Sequence, residues 1–140
     1  MTAKAASKQS RQKASNIFKE ASSFSSFSVN DVKKARDFYR ETLGLDVSET
    51  SEGLELRTGD NVIFLYPKPN HAPASFTVLN FQVDDIDEAV TQLAAVGVSL
   101  EHYNLPDIKT DKRGIFSGPG HQIAWFKDPA GNILSVIEEE

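Results

Sequence analysis

The chain has 140 residues, 39% of them hydrophobic, and no cysteine, which fits one domain with an ordinary core and excludes disulfides and thiolate metal sites. Its net charge of −5 is uneven: Lys4, Lys8, Arg11, Lys13 and Lys19 against Glu20 put +4 on residues 1–20 and leave −9 on the rest. An acidic body argues against a nucleic-acid partner. No apolar run approaches the roughly 18 residues of a membrane span, and no apolar core marks a secretory signal, so the expectation is a cytoplasmic protein with no membrane partner.

Residues 1–20 read as a flexible basic tail, rich in Ala, Ser, Lys and Gln with little to bury. The body, 21–140, contains a repeat. Phe27-Ser28-Val29-Asn30-Asp31-Val32 with Ala35 recurs 54 residues later as Phe81-Gln82-Val83-Asp84-Asp85-Ile86 with Ala89. Asn61-Val62-Ile63-Phe64-Leu65 recurs 71 residues later as Asn132-Ile133-Leu134-Ser135-Val136. The same elements in the same order indicate a duplicated module, one copy over about 21–70 and the other over about 74–140. The extra residues fall mostly in Tyr103–Gly120, which reads as a long loop.

Each module opens with an alternating strand. Phe27 and Val29 take one face, Ser26 and Ser28 the other; in the second copy Leu79, Phe81 and Val83 oppose Val78, Asn80 and Gln82. A helix follows each strand. Val32, Ala35, Tyr39 and Leu43 recur at helical spacing, as do Ile86, Ala89, Val90 and Leu93. Asp31 and Asp85 stand where N-caps belong, Glu88 completes a capping-box pattern, and Gly44 and Gly97 stand where left-handed C-caps belong. Strands over Leu54–Arg57 and Val62–Tyr66 are joined by Gly59-Asp60-Asn61. Strands over Ile123–Phe126 and Ile133–Ile137 are joined by Asp128-Pro129-Ala130-Gly131-Asn132. The order β-α-β-β(-β), twice, defines an α+β fold. A helix covers one face of each sheet, so the faces bearing Ser26, Ser28, Tyr66, Asn80, Gln82 and Ser135 form a concave wall.

Phe27-x-Val29-x-Asp31, Ala35-x-x-Phe38-Tyr39 and Leu43-Gly44-Leu45 resemble the start of the vicinal-oxygen-chelate (VOC) superfamily. This is the glyoxalase, bleomycin-resistance and extradiol-dioxygenase group. Trp125-Phe126-x-Asp128-Pro129-x-Gly131-Asn132-Ile133-Leu134 resembles its closing hairpin, and the resemblance runs from about Phe24 to Glu138. It implies two paired βαβββ modules around a cavity, with four strand side chains, typically His and Glu, holding one divalent ion in the metal-dependent members. Those four positions fall here at Phe24, Phe64, Val78 and Ser135. Phenylalanine and valine offer no lone pair and serine is a poor ligand alone, so the expectation is no metal and no cofactor.

The histidines do not replace these ligands by spacing. His71 lies in the linker between modules, His102 precedes the long loop and His121 ends it. His121 is the candidate general base, with Asp107 in the loop as the other ionisable group within reach. The function expected is sequestration of a small organic ligand by a metal-free glyoxalase/bleomycin-resistance-like protein, as a homodimer. Phe24, Phe64, Tyr66, Val78 and Trp125 would give apolar or stacking surface, and Ser26, Ser28, Asn80, Gln82 and Ser135 hydrogen bonds. The alternative is an isomerase, lyase or dioxygenase-like enzyme of the same fold, without metal or with one held atypically, in which the Tyr103–Gly120 segment closes as a lid.

Overall fold

The computed structural model describes residues 16–140; the first 15 residues of the expected tail lie outside them, and its last residues, Ile17–Glu20, form a single helical turn, α1. In module one, strand β1 (Ser25–Val29) leads into α2 (Val32–Asp37), then β2 (Asp46–Thr50), β3 (Gly53–Thr58) and β4 (Asn61–Pro67). In module two, β5 (Thr77–Gln82) leads into α3 (Ile86–Ala95), then β6 (Ile115–Gly118), β7 (His121–Lys127) and β8 (Ile133–Glu139). The strands make two four-stranded sheets, ordered β1-β4-β3-β2 and β5-β8-β7-β6. In each, the first strand runs parallel to the last and the other pairs are antiparallel.

Alternation places the core. Phe27, Val29, Leu54, Leu56, Ile63 and Leu65 are buried on one face of the first sheet, as are Ala124, Phe126, Leu134 and Val136 on the second. The helices pack on these faces and complete the core with Ala35, Tyr39, Ile86, Val90 and Leu93. Both helices start as the sequence requires. The Asp31 carboxylate accepts from the Lys34 amide and the Asp85 carboxylate from the Glu88 amide, each at 3.1 Å. The reciprocal half of the capping box is not made: Glu88 accepts from Gln92 instead, and Glu138 accepts the Ile86 amide at 2.8 Å. Gly44 and Gly97 take positive φ angles of 75° and 84° just past the two helices.

Three expectations need correction. The first helix is not uniform: after Asp37 it widens into a π turn over Phe38–Thr42, with Leu43 N donating to Phe38 O. The Tyr103–Gly120 segment is not all loop. It contains β6, and its earlier part folds on itself through the Asn104–Lys109 bridge and a Leu105–Ile108 turn. The alternation over 78–83 holds only from Leu79 onward, because a register shift between Thr77 and Leu79 takes Val78 out of step.

A cleft at the open end of the module seam

The strands β1 and β5 are edge strands of the two sheets, and the seam between modules is marked by the hydrogen bonds and the cleft beside them. At one end it is closed by hydrogen bonds. The five residues between β7 and β8, Asp128 to Asn132, reach across to module one. Tyr39 OH donates to Asp128 Oδ2 at 2.7 Å, both groups buried, and Asn132 Nδ2 donates to the Ser28 carbonyl at 2.9 Å. Asp128 also accepts from the amides of Ala130 and Asn132 and from Asn132 Nδ2, so the carboxylate is well satisfied. Burial raises the Tyr39 phenol far above its ordinary value, and the adjacent carboxylate adds to the effect.

The other end lacks these contacts, for reasons visible in the repeat. The position matching Tyr39 is Leu93, which has no hydroxyl, and the position matching Asp128 is Arg57, which pairs with Glu55 and Asp46 in its own sheet. The β3–β4 turn is also shorter, with only Gly59 and Asp60 between the strands. Asn61 and Gln82, which match Asn132 and Ser28, therefore do not close the seam. Both instead line a cleft of about 970 Å³, at the upper end of the range for small-molecule sites. Phe24, Val62, Val78 and Ile137 contribute apolar wall. The polar lining includes Asn80, Asp60 and Glu139, and no Lys, Arg or His of the described residues is present. Glu139 accepts only a long 3.4 Å bond from Gln82, and neither carboxylate makes an ion pair among the described residues. A second pocket, on the helix side between Leu43, Leu45, Leu93 and Val96, is about 270 Å³ and too small for a drug-sized ligand.

Of the ten residues expected to bind ligand, Phe24, Val78, Asn80 and Gln82 line the cleft. Register puts Ser26 beside Phe64 and Ser28 beside Tyr66 on the same face of the first sheet as Phe24, but outside the cleft. Phe64 and Tyr66 stack with ring centroids 6.3 Å apart. Trp125 and Ser135 share the concave face of the second sheet with Asn80 but are shut away. Ser135 is fully buried and donates to Asn80 Oδ1. Trp125 is only 9% exposed, beneath Tyr103 at 5.3 Å and Phe116 at 6.1 Å, with its Nε1 donating to Thr77 Oγ1 at 3.1 Å. Burial also raises the Tyr103 phenol above its ordinary range.

The family's metal does not fit this donor set. Phe24, Phe64 and Val78 have nothing to donate, and the Ser135 hydroxyl is already committed to Asn80. Among the described residues no three His, Cys, Asp or Glu side chains gather in ligating positions. His102 and Asp107 are exposed. His121 opens β7, its Nδ1 bonded to the Pro119 carbonyl at 2.9 Å and its ring near Phe116. His71 is the residue that linear reading undervalued. From the linker it meets Ser28 Oγ through Nδ1 at 2.6 Å and the Ala130 carbonyl through Nε2 at 3.0 Å. Its neighbours are 43 and 59 residues away in sequence, so no local pattern could have announced them.

Paired βαβββ modules, each with a mixed four-stranded sheet, define the glyoxalase fold. The chain belongs to the glyoxalase/bleomycin resistance protein/dioxygenase superfamily, whose family model matches residues 24–136. It is 28% identical over 126 residues to the uncharacterised protein YraH of Bacillus subtilis (strain 168), covering 79% of this chain and 91% of that one. Among solved structures it is similar to a glyoxalase family protein from Bacillus anthracis, at 22% identity and a TM-score of 0.64, covering 86% of this chain and 97% of the other. It is also similar to TnmS3, an antibiotic binding protein from Streptomyces sp. CB03234, at 27% identity and a TM-score of 0.57, covering 86% and 98%. No helix among the described residues is long and apolar enough to cross a membrane.

Proposed function

We propose that this protein sequesters a small organic cation in the seam cleft, without a metal. The observation that carries this reading is the cleft itself: about 970 Å³ between the modules, apolar walls, two carboxylates and, among the described residues, no basic side chain. Asp60 and Glu139 favour a protonated amine, and Phe24, Val62, Val78 and Ile137 favour a flat apolar body attached to it. Asn80, Asn61 and Gln82 orient the ligand by hydrogen bonds. The similarity to an antibiotic binding protein supports binding as the primary role. Exposed Phe18 (76%) and Phe76 (67%), which the cleft does not use, fit a homodimer in which a second copy covers them.

The test is calorimetric titration with matched pairs of aromatic amines and their N-acetyl derivatives. The amine should bind at least about tenfold more tightly, a difference of roughly 1.4 kcal/mol. Asp60→Asn combined with Glu139→Gln should erase that preference while leaving the melting temperature close to wild type. Equal affinity for amine and amide, or preference for anions, would refute the proposal.

A further inference from the structure

At the closed end of the seam, outside the cleft, lies a second constellation. His71 Nε2 faces the Ala130 carbonyl at 3.0 Å. A carbonyl oxygen can only accept, so this nitrogen carries the proton. In the neutral ring Nδ1 is then a bare lone pair, and the Ser28 hydroxyl 2.6 Å away donates to it. The ring is thus held in the tautomer a general base needs, fixed by one group and bonded to a hydroxyl by the other. Ser28 and His71 are both half-buried rather than sealed off, and Tyr66, the register partner of Ser28, stands beside it on the same concave face.

We propose that Ser28 is a nucleophile activated by His71, and that the pair takes the acyl group of small activated esters with an aromatic leaving group. Ser28 Oγ attacks the ester carbonyl carbon as its proton passes to His71 Nδ1. The tetrahedral adduct collapses, the carbon–oxygen bond to the leaving group breaks, and the departing phenolate recovers the proton from His71. The acyl group remains on Ser28 until water attacks it, its proton passing to the same imidazole and from there to Ser28 Oγ as the bond from the acyl carbon to Oγ breaks and the acid leaves. The Tyr66 ring gives the aryl group a surface to stack on. Efficient acyl transfer draws most of its acceleration from oxyanion donors, and this dyad supplies a nucleophile and a base only. The expected reaction is therefore stoichiometric acylation with slow release. The inference is independent of the cation-binding reading, because none of Ser28, His71 and Ala130 lines the cleft.

The experiment is incubation of the full chain with p-nitrophenyl acetate, with release of p-nitrophenolate followed by absorbance and the adduct located by peptide mass spectrometry. Mapping is essential because Ser22, Ser23, Ser25 and Ser26 lie close by. One acetyl group on Ser28 is expected, absent in Ser28→Ala. In His71→Ala the acylation rate should fall about a hundredfold, the scale of general-base assistance, and free imidazole should restore part of it. No adduct on Ser28, or an unchanged rate in a folded His71→Ala protein, would overturn the proposal. If His71→Ala does not fold, Ser28→Cys decides. The chain has no other cysteine, so alkylation by iodoacetamide reports that thiol alone. A rate at least tenfold above free cysteine supports activation by His71, and a rate at or below it refutes activation.

Discussion

At the scale of single residues, the molecule depends on a few polar groups placed where no water can replace them. Tyr39 and Asp128 are the clearest pair. Tyr39→Phe leaves a buried carboxylate one partner short and should cost about 1–3 kcal/mol, read as a lower urea midpoint. The same residue sets an alkaline limit. Below about pH 10 the phenol is protonated in both the folded and the unfolded chain, and its contribution is intact. Above that the unfolded chain ionises while the buried phenol does not, because its folded value is raised, so stability falls as pH rises. Urea titrations between pH 8 and 11 should show this decline, shallower in Tyr39→Phe; equal slopes would remove Tyr39 as its source. Gly53 is fixed by space rather than chemistry: a Cβ there would overlap the Leu65 carbonyl oxygen. Gly53→Ala should destabilise by about 1–3 kcal/mol or more, the usual scale of overpacking, visible as a lowered melting temperature. The side chains at Phe24, Phe64, Val78 and Ser135 make a further prediction. After dialysis against zinc, nickel, manganese or ferrous iron, the protein should retain far less than one ion per chain by mass spectrometry. Stoichiometric retention would point to ligands outside those positions.

At the scale of elements, alternation and capping were legible in the sequence because both are local. Phe27 against Ser28, and Asp31 or Asp85 three residues before an amide, depend on neighbours in the chain. Asp85→Ala should therefore cost about 1 kcal/mol, as N-cap losses do, and a denaturation curve unchanged from wild type would show that the cap is not needed. Strand β6 was hidden for the opposite reason. Ile115–Gly118 is short and flanked by Gly114 and Gly120, so its composition reads as loop, and only the pairing with β7 makes it a strand. The same partnership orders the preceding segment, where Glu101 N donates to the Trp125 carbonyl and Arg113 binds Asp87 and Thr91 of α3. The π turn at Phe38–Thr42 was likewise illegible, since the spacing of Ala35, Tyr39 and Leu43 also suits a regular helix. It lies beside the Tyr39 contact to Asp128, a constraint imposed from 89 residues away.

At the scale of the whole molecule, duplication explains both the symmetry of the fold and the place where that symmetry fails. The repeat predicts two like modules, and two like sheets are present. Ten residues were expected to bind ligand, whereas only four of these reach the cleft and two, Trp125 and Ser135, are buried. That partition depends on which end of the seam closes. Closure follows from substitutions between copies, Tyr39 against Leu93 and a five-residue connection against a two-residue turn, whose meaning appears only once the modules are paired. The most direct test of a cation-binding cleft is a nitrogen-15 NMR titration with an aromatic amine selected from a fragment set. Binding in the cleft should give saturable shifts concentrated at the amides of Phe24, Asp60, Asn61, Val62, Asn80, Gln82 and Glu139. Saturable shifts confined to the helix-side pocket around Leu43 and Leu93, or to the Tyr103–Trp125 cluster, would contradict it.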